Sequence, residues 1–347
     1  MVALLVTTEK SGVDKYSQEI ASRLDAKRIE TRRYLSLPEV YQLARLVSGQ
    51  EDIVHLPNQD FARFALFTKN PFIVTVHDLA RSCFRFSKET ITERMLLRID
   101  IKCIRRATHI IATSENTKKD LVKYLNIPID RITVIYNGVD HDIFKQYDDV
   151  KFFDEPYIIY AGSERPRKNL VRLFEAFVKL KIEFPNLRLV KAGACGRSEK
   201  YRTETIRKLE SLGIIQDVVF IDHVTETELA QYYSSAALLA YPSLYEGFGL
   251  PPLEAMASSC PVVTSNTSSL PEVVGDAAIT VNPYDTDSLA EAMRRVLTDN
   301  KLRDDMIRKG LEQSKKFSWE KTAEQTLEVY NQVEERGARE PLVKCNG

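Results

Sequence analysis

Short runs of apolar and β-branched residues alternate with longer amphipathic stretches along most of the chain. Runs that are apolar at consecutive positions are typical of strands buried on both faces, as in parallel sheets. The pattern predicts strands at residues 2–7, 52–57, 72–77, 108–113, 131–136, 157–161, 187–192, 218–221, 237–241, 262–265 and 278–281.

Segments with helical periodicity lie between these strands. We predict helices at residues 14–24, 38–48, 88–106, 115–125, 168–184, 200–212, 226–234, 252–258 and 286–298, with only helix after residue 300. Alternation of strand and helix predicts an α/β protein with parallel sheets. Two successive series predict two Rossmann-like, doubly wound domains that face each other across a cleft.

The domain boundary is expected where the apolar periodicity stops. The polar stretch 140–149 interrupts it, which places a hinge between Asn137 and Phe153. The predicted division is an N-terminal domain at 1–150, a C-terminal domain at 151–316, a helix at 317–336 and a polar tail at 337–347.

Composition excludes several classes of protein. The 347 residues suffice for two domains, and 44% hydrophobic with 28% charged residues is ordinary for a globular chain. Lys plus Arg and Asp plus Glu both number 49, so the net charge is zero and nucleic acid is not an expected partner.

The cysteine pattern disfavours a disulfide framework and a zinc site. The five cysteines form no Cys-x-x-Cys pair and show no metal-ligand spacing with histidine, so we expect a reducing, cytoplasmic setting and no metal. The longest apolar runs, such as 158–162 and 236–241, are far shorter than the ~20 residues that span a bilayer.

The most informative segment is 241–257, Tyr-Pro-Ser-Leu-Tyr-Glu-Gly-Phe-Gly-Leu-Pro-Pro-Leu-Glu-Ala-Met-Ala. It leads from a predicted strand through two glycines into a helix that begins near Pro251, and proline is tolerated in a first helical turn. Glycines allow a ligand to approach the backbone, and a helix start favours an anion such as a diphosphate. Glu246 and Glu254 could accept hydrogen bonds from sugar hydroxyls. A bare Gly-x-Gly turn also occurs for packing alone, but two glutamates around it are more specific.

This segment resembles the signature of glycosyltransferase family 4, whose members are retaining enzymes with the two-domain GT-B fold. The resemblance extends over nearly the whole chain. It includes residues 134–140 (Val-Ile-Tyr-Asn-Gly-Val-Asp), 160–169 (Tyr-Ala-Gly-Ser-Glu-Arg-Pro-Arg-Lys-Asn), 268–278 (Ser-Ser-Leu-Pro-Glu-Val-Val-Gly-Asp-Ala-Ala) and 317–320 (Phe-Ser-Trp-Glu). Pro-Arg-Lys-Asn and Ser-Ser-Leu-Pro-Glu are similar to the subgroup with many mannosyltransferases of surface-polysaccharide assembly. The fold also implies that the helix near 318–335 packs back on the first domain.

The resemblance implies how a nucleotide-sugar is held. Glu254 is expected to bind the ribose hydroxyls, Glu246 the transferred sugar, and Lys168 the leaving diphosphate, whose negative charge a fixed cation stabilises. The implied catalytic residues are His77, Lys168 and Glu246. The implied binding residues are Gly12, Asn137, Gly162, Ser163, Arg167, Lys168, Val224, Glu246, Gly247, Phe248, Gly249, Leu250 and Glu254.

Two positions depart from the family pattern. Many relatives carry arginine after the glycine of the phosphate loop, whereas Ser163 follows Gly162 here. Arg165 or Arg167 could supply the missing cation, or the two could form a solvated basic turn. Relatives usually have two or more glycines in the first strand-to-helix turn, whereas this chain keeps only Gly12.

His77 follows a predicted strand within Val-Thr-Val-His-Asp-Leu. Ligands of open α/β sheets bind beyond such strand ends. A lone histidine is more often structural, but family members similarly place a histidine here, near the transferred sugar. Asp78 could face the same site or cap the following turn.

Residues 81–106 form a basic segment, with eight Lys or Arg against three Asp or Glu and hence a net charge of +5. Apolar residues from Ile91 onward recur every four positions, which predicts an amphipathic helix. The segment is either a solvated helix packed on the sheet or a peripheral contact with anionic lipid or a lipid-linked acceptor. Related enzymes that extend glycolipids often use this region of the first domain for such a contact, as the second interpretation expects.

The combined prediction is a retaining transferase that moves a hexose from a nucleotide-sugar to a glycan or lipid-linked acceptor. GDP-mannose is the first candidate, and a UDP-sugar is the alternative. The nucleotide-sugar is expected on the second domain and the acceptor on the first, with no metal or other cofactor, in the cytoplasm or at the inner membrane face. A nucleotide-sugar epimerase and a non-catalytic nucleotide-sugar-binding relative are the competing interpretations.

Overall fold

The chain forms two compact units. Unit one contains Met1–Gly138 and Trp319–Gly347, and unit two contains Val139–Ser318. The division lies after Gly138, at the start of the hinge range predicted between Asn137 and Phe153 and before the domain boundary given as residue 150. The polar stretch 140–149 therefore belongs to unit two. The computed structural model describes residues 2–7, 12–32, 37–47, 53–68, 70–83, 91–196 and 198–339.

Twelve strands lie in the described part of the chain. They are β1 Val2–Thr7, β2 Lys27–Thr31, β3 Ile53–Leu56, β4 Phe72–Val76, β5 His109–Ala112, β6 Ile132–Val134, β7 Tyr157–Ala161, β8 Arg188–Ala192, β9 Val218–Ile221, β10 Leu238–Tyr241, β11 Val262–Ser265 and β12 Ile279–Val281. Eleven of them coincide with predicted strands. The sequence did not predict β2, because Lys-Arg-Ile-Glu-Thr has one aliphatic residue and forms an edge strand with much of its surface exposed.

The helices of the described residues also follow the predicted order. They are α1 Gly12–Arg23, α2 Leu37–Val47, α3 Ala80–Cys83, α4 Ile91–Ile104, α5 Glu115–Leu125, α6 Leu170–Glu183, α7 Glu199–Ser211, α8 Glu226–Ser235, α9 Leu250–Ala257, α10 Leu270–Val274, α11 Thr286–Thr298, α12 Asn300–Ser314 and α13 Trp319–Arg339. Short 3₁₀ segments span Gln59–Leu66, Ile129–Arg131, Pro166–Lys168 and Ile215–Asp217. The sequence missed α3 and α10, since one turn of helix is too short to show a repeat.

Unit one contains a six-stranded parallel sheet in the order β2-β1-β3-β4-β5-β6. Helix α13 packs on it, as the resemblance implied. Val329, Tyr330 and Val333 share a buried cluster with residues of β1, β3, β4 and β5. Trp319 and Ala323 pack in another cluster with residues of β1 and α1. The last helix is therefore part of the core of unit one.

Unit two contains a second six-stranded parallel sheet, in the order β12-β11-β10-β7-β8-β9. The chain builds outward in one direction from β7 and in the other from β10, so the strand order reverses between these two neighbours. In doubly wound sheets, ligands bind outside the carboxyl ends of the strands at such a reversal. The two units together confirm the predicted GT-B fold class of paired Rossmann-like domains.

Candidate functional site

The candidate site of unit two lies on the loops that follow β7 and β10, residues 162–169 and 242–249. Backbone and side-chain hydrogen bonds tie these loops together. The N–H of Leu244 donates to the carbonyl of Arg167 at 2.8 Å. Asn169 takes a left-handed backbone, φ 59°, and its Nδ2 donates to the carbonyl of Pro242 at 3.0 Å. The strand-order reversal is therefore bridged by a fixed pair of loops.

Glu246 is the centre of this pair of loops. Its Oε1 accepts a hydrogen bond from Lys168 Nζ at 2.6 Å, from the Tyr241 hydroxyl at 3.0 Å and from the Ser243 hydroxyl. Its Oε2 accepts from Arg167 Nη1 at 2.9 Å. Glu246 is 7% exposed and Lys168 is 8% exposed, so this ion pair is almost fully buried.

The environment fixes the charges of the pair. Burial raises the pKa of the Glu246 carboxyl, but Arg167, Lys168 and the hydrogen bonds outweigh it and lower that pKa to about 2. Burial lowers the pKa of the Lys168 ammonium to about 8, and the attraction of Glu246 offsets this only in part. At neutral pH the carboxylate and both cations are charged, which leaves one net positive charge for an anion.

The glycine turn after Glu246 starts helix α9. Gly249 has a φ of 126°, a conformation that other residues rarely adopt, and an added Cβ would lie 3.0 Å from Leu270 Cδ2. Leu250 follows as the first helical residue, with Pro251 and Pro252 in the first turn. The first N–H groups of a helix have no partner within it and carry partial positive charge. They add to the charge of the two cations.

Both arginines of the loop 162–169 lie near Lys168. Arg167 Nη1 lies 2.9 Å from Glu246 Oε2, and the charge of Arg165 contributes to the lowered pKa of Lys168. Ser163, which replaces the expected arginine, holds the loop through its carbonyl oxygen, which accepts from the Tyr160 hydroxyl at 2.9 Å. Gly162 has a φ of 145°, and an added Cβ would lie 2.9 Å from the same hydroxyl oxygen. Arg167 therefore brings a cation to Glu246 from a position five residues after Gly162.

Two further predicted residues lie at the same edge of the sheet. Glu254 is in helix α9, and its Oε2 accepts from the Tyr233 hydroxyl at 3.5 Å. Burial keeps the pKa of Tyr233 well above its usual value, so the phenol remains protonated. Val224 is half-buried and follows β9, just before Thr225, the N-cap of α8.

His77 follows β4 in unit one and is held from several sides. Its N–H donates to Gln59 Oε1 at 3.0 Å, and its carbonyl accepts from the Thr113 hydroxyl at 2.9 Å. Its Nε2 lies 2.8 Å from the carbonyl oxygen of Pro57. A carbonyl only accepts, so Nε2 carries the proton and the ring has one orientation.

Gly12 and Asn137 also belong to unit one. Gly12 begins α1, and the preceding loop residues 8–11 lie outside the described part of the chain. Asn137 is buried, and its Oδ1 makes no hydrogen bond to a described residue. The predicted site residues are therefore divided between the two units.

A pocket lies beside His77 in unit one. Gln59 connects the pocket with His77. Its Oε1 accepts the N–H of His77, and its Nε2 donates to the carbonyl of Asp78 at 3.1 Å. Asp78 also caps α3 through a hydrogen bond from the N–H of Ala80 at 2.9 Å, the second of the two roles considered for it. The pocket is lined by Gln59, Asp60, Asp78, Leu79, Arg81, Ser82, Leu97, Asp100, Ile101 and Ile104. Carboxylates beside aliphatic side chains suit a sugar, which presents hydroxyls and an apolar face.

The basic segment is described only in part, because residues 84–90 lie outside the described chain. Helix α4 exposes Arg94, Arg98 and Lys102 along one side, and Met95 is 58% exposed. Arg106 is used internally, since its Nη1 donates to the carbonyl of Ala65. No helix among the described residues is long and apolar enough to cross a membrane. Both interpretations of the segment remain predictions.

Three residues that support Glu246 were quoted in the motifs but given no role. Tyr241 and Ser243 donate to its carboxylate, and Ser268 Oγ accepts its backbone N–H at 3.0 Å. The sequence feature that could have identified them is their position in the matched segments Tyr-Pro-Ser and Ser-Ser-Leu-Pro-Glu.

Family comparisons cover almost the whole chain. Residues 5–143 match the model for Glycosyltransferase Family 4, and residues 144–313 match the model for glycosyl transferases group 1. The O-antigen chain mannosyltransferase B of Escherichia coli is 32% identical over 236 residues, 64% of this chain and 60% of that protein. The MMP alpha-(1->4)-mannosyltransferase of Mycolicibacterium hassiacum is 28% identical over 343 residues, 91% of this chain and 80% of that protein.

The solved structure of Anabaena Alr3699/HepE in complex with UDP-glucose has the same fold. It superposes with a TM-score of 0.82 at 17% sequence identity, over 95% of this chain and 99% of that one.

Proposed function

Because the chain belongs to glycosyltransferase family 4, we propose that it transfers mannose from GDP-mannose to a glycan, with retention of configuration at the anomeric carbon. One observation carries this proposal. Glu246 is buried between Lys168 and Arg167 at the loop that starts helix α9. Two cations, a carboxylate held between them and a helix start are groups that suit a nucleotide-sugar.

The two cations fit the diphosphate. A nucleoside diphosphate gains negative charge as it leaves the sugar, and fixed cations in a buried site stabilise that charge without reorganisation. In the free protein, Glu246 balances one of the two positive charges. A bound diphosphate would therefore meet a site that is already positive and already ordered.

The surroundings of Glu246 favour a binding role over a covalent one. Its pKa of about 2 makes the carboxylate a weak base, and four hydrogen-bond donors occupy its oxygens. It is therefore poorly suited to accept the proton of an acceptor hydroxyl or to attack the sugar. In the proposed reaction, the bond from C1 to the phosphate oxygen breaks while a bond to the acceptor oxygen forms on the same face. The departing phosphate oxygen takes the acceptor proton.

We place the acceptor on unit one. His77 is held at the carboxyl end of β4, where we expect it to contact the transferred sugar, and the pocket beside it is lined by Asp60, Asp78 and aliphatic side chains. The exposed basic side of α4 supports a further contact with an anionic membrane or with the phosphate of a lipid-linked acceptor. Lys168 and Arg167 take the place that a divalent cation has in metal-dependent transferases, which supports the expectation of no metal.

A ligand screen tests the proposal. The purified protein is heated with GDP, UDP, ADP and their common sugar conjugates, and the unfolding temperature is recorded. A ligand at 100 times its dissociation constant adds about 2.7 kcal/mol to the stability of the state that it binds. Stabilisation by GDP and GDP-mannose supports the proposal. Stabilisation by UDP-sugars alone would indicate a UDP-sugar as the donor in place of GDP-mannose. The absence of any shift in the unfolding temperature would favour a non-catalytic relative.

A further inference from the structure

A buried hydrogen-bond chain in unit one has no role in the function proposed above. The Tyr330 hydroxyl lies 2.6 Å from His55 Nδ1, and His55 Nε2 lies 2.9 Å from Thr75 Oγ1. Thr75 Oγ1 in turn lies 3.0 Å from the Tyr16 hydroxyl. All four side chains are buried, and they join α13, β3, β4 and α1 through the core of the unit.

The end of the chain at Tyr16 lies beside Thr326 of α13. The Thr326 hydroxyl donates to the carbonyl of Thr322 at 2.7 Å. Burial raises the pKa of the Tyr16 phenol to about 12, and Thr75 and Thr326 offset part of that rise.

The bonds of the chain are satisfied in either of two proton arrangements. If Thr75 donates to the oxygen of Tyr16, His55 Nε2 donates to Thr75 and His55 Nδ1 accepts from the Tyr330 hydroxyl; if Tyr16 donates, the order is reversed. Burial lowers the pKa of His55 to about 3, with a smaller contribution from nearby His77, in agreement with a neutral His55 ring. The chain is fully satisfied and is rigid.

Tyr16 connects this chain to His77. Its ring meets the His77 ring edge-on, with centroids 5.0 Å apart and an interplanar angle of 83°. On another side it meets Trp319, the first residue of α13, with centroids 6.3 Å apart. The hydrogen-bond chain therefore anchors an aromatic ring, that of Tyr16, which contacts both His77 and the start of α13.

We propose that Tyr16 is a positioning residue that holds the His77 imidazole in its working orientation, and that Thr75, His55 and Tyr330 hold Tyr16 for this task. The proposal rests on the proposed function, in which His77 contacts the transferred sugar. It goes beyond that function because it assigns a role in turnover to core residues and to the last helix.

The sheet of unit one offers a matched pair of variants, Thr75→Val and Thr133→Val. Thr75→Val removes the central hydroxyl and leaves His55 Nε2 without its partner. Thr133→Val does the same to His109, whose Nε2 lies 2.8 Å from Thr133 Oγ1 in the same sheet. His109 is also buried, and burial lowers its pKa to about 4. Both variants should lower the unfolding temperature, but only Thr75→Val should change the orientation of the His77 ring.

The test combines histidine side-chain NMR with GDP-mannose hydrolysis. In Thr75→Val we expect the His77 ring signals to shift and kcat to fall about tenfold or more, since small misplacements of reacting groups are costly. KM and the affinity for GDP should not change, because the nucleotide site belongs to unit two. Tyr330→Phe keeps the ring and should give the same pattern more weakly, which protects the test if Thr75→Val folds poorly.

The outcomes separate this proposal from the proposed function. Unmoved His77 signals in both Thr75→Val and Tyr330→Phe, or an equal loss of kcat in Thr133→Val, would overturn the positioning role. If the wild-type protein hydrolyses no GDP-mannose, the proposed function fails instead, and the His77 signals still decide whether Tyr16 holds that ring.

Discussion

Replacement of Glu246 by glutamine separates its role as the counterion of Lys168 and Arg167 from its role in turnover. Glutamine keeps the size and part of the hydrogen bonding but removes the negative charge between Lys168 and Arg167. We expect a less stable protein that still binds GDP and has almost no activity. Glu175→Gln is the matched control, because Glu175 also pairs with two cations, Lys208 and Arg172, but at a more exposed site.

The size of the stability loss follows from the pKa of Glu246. Its fall from 4.5 to about 2 on folding corresponds to roughly 3 kcal/mol at about 1.4 kcal/mol for each unit. Loss of one partner of a buried ion pair typically costs about 3–5 kcal/mol, which agrees. The control should lose less than about 1 kcal/mol, as is usual for exposed pairs.

The lowered pKa of Glu246 also predicts how the stability difference between the two proteins changes with pH. A carboxyl whose pKa is lowered on folding stabilises the protein fully above its unfolded pKa and loses that effect as the pH falls through the folded value. The difference between wild type and Glu246→Gln should therefore be complete at pH 7 and should shrink between pH 4.5 and about 2.

Denaturant unfolding, GDP titration and GDP-mannose turnover check these expectations. GDP should bind the variant at least as tightly as the wild type, because its diphosphate no longer shares the two cations with a carboxylate. Turnover should fall by about a hundredfold or more, as when one stabilising contact to a transition state is lost. Unchanged stability together with a loss of GDP affinity would refute the assignment of Glu246 as the counterion of the site.

Three further predictions follow from the same geometry. Because the pKa of Lys168 is about 8, kcat/KM should fall as the pH rises through that value, and a pH–rate profile of Lys168→Arg should lack this fall. Arg167→Ala should weaken GDP binding in a titration more than Arg165→Ala does, since Arg167 extends into the buried site and pairs with Glu246; equal losses would contradict this. Gly249→Ala should lower the unfolding free energy by about 1–3 kcal/mol in denaturant, because a side chain at φ 126° is strained.

The sequence predicted the architecture well because buried parallel strands are apolar at every position. Runs such as β4 and β7 stand out without any tertiary information. The edge strand β2 was missed for the same reason, since Lys-Arg-Ile-Glu-Thr is half exposed and is stabilised mainly by its ladder with β1. The short helices α3 and α10 leave no repeat to detect.

The site was predictable in its residues but not in its contacts. The Glu-Gly-Phe-Gly segment pointed to Glu246 and Glu254 because a turn with these groups suits a nucleotide-sugar. The contact of Arg167 with Glu246 depends on how a left-handed Asn169 turns residues 162–169 toward β10. The partners lie far apart in the sequence, and no local pattern records such contacts. The same is true of the chain from Tyr330 to Tyr16.

The most direct test of the account is GDP release from GDP-mannose by the wild-type protein, Lys168→Ala and Lys179→Ala. Lys179 is the control, because it is an exposed lysine of α6 that pairs with Asp287. The account predicts GDP release by the wild type and by Lys179→Ala, and a loss of at least about a hundredfold in Lys168→Ala. Equal rates in all three proteins would contradict the assignment of the reaction to this site.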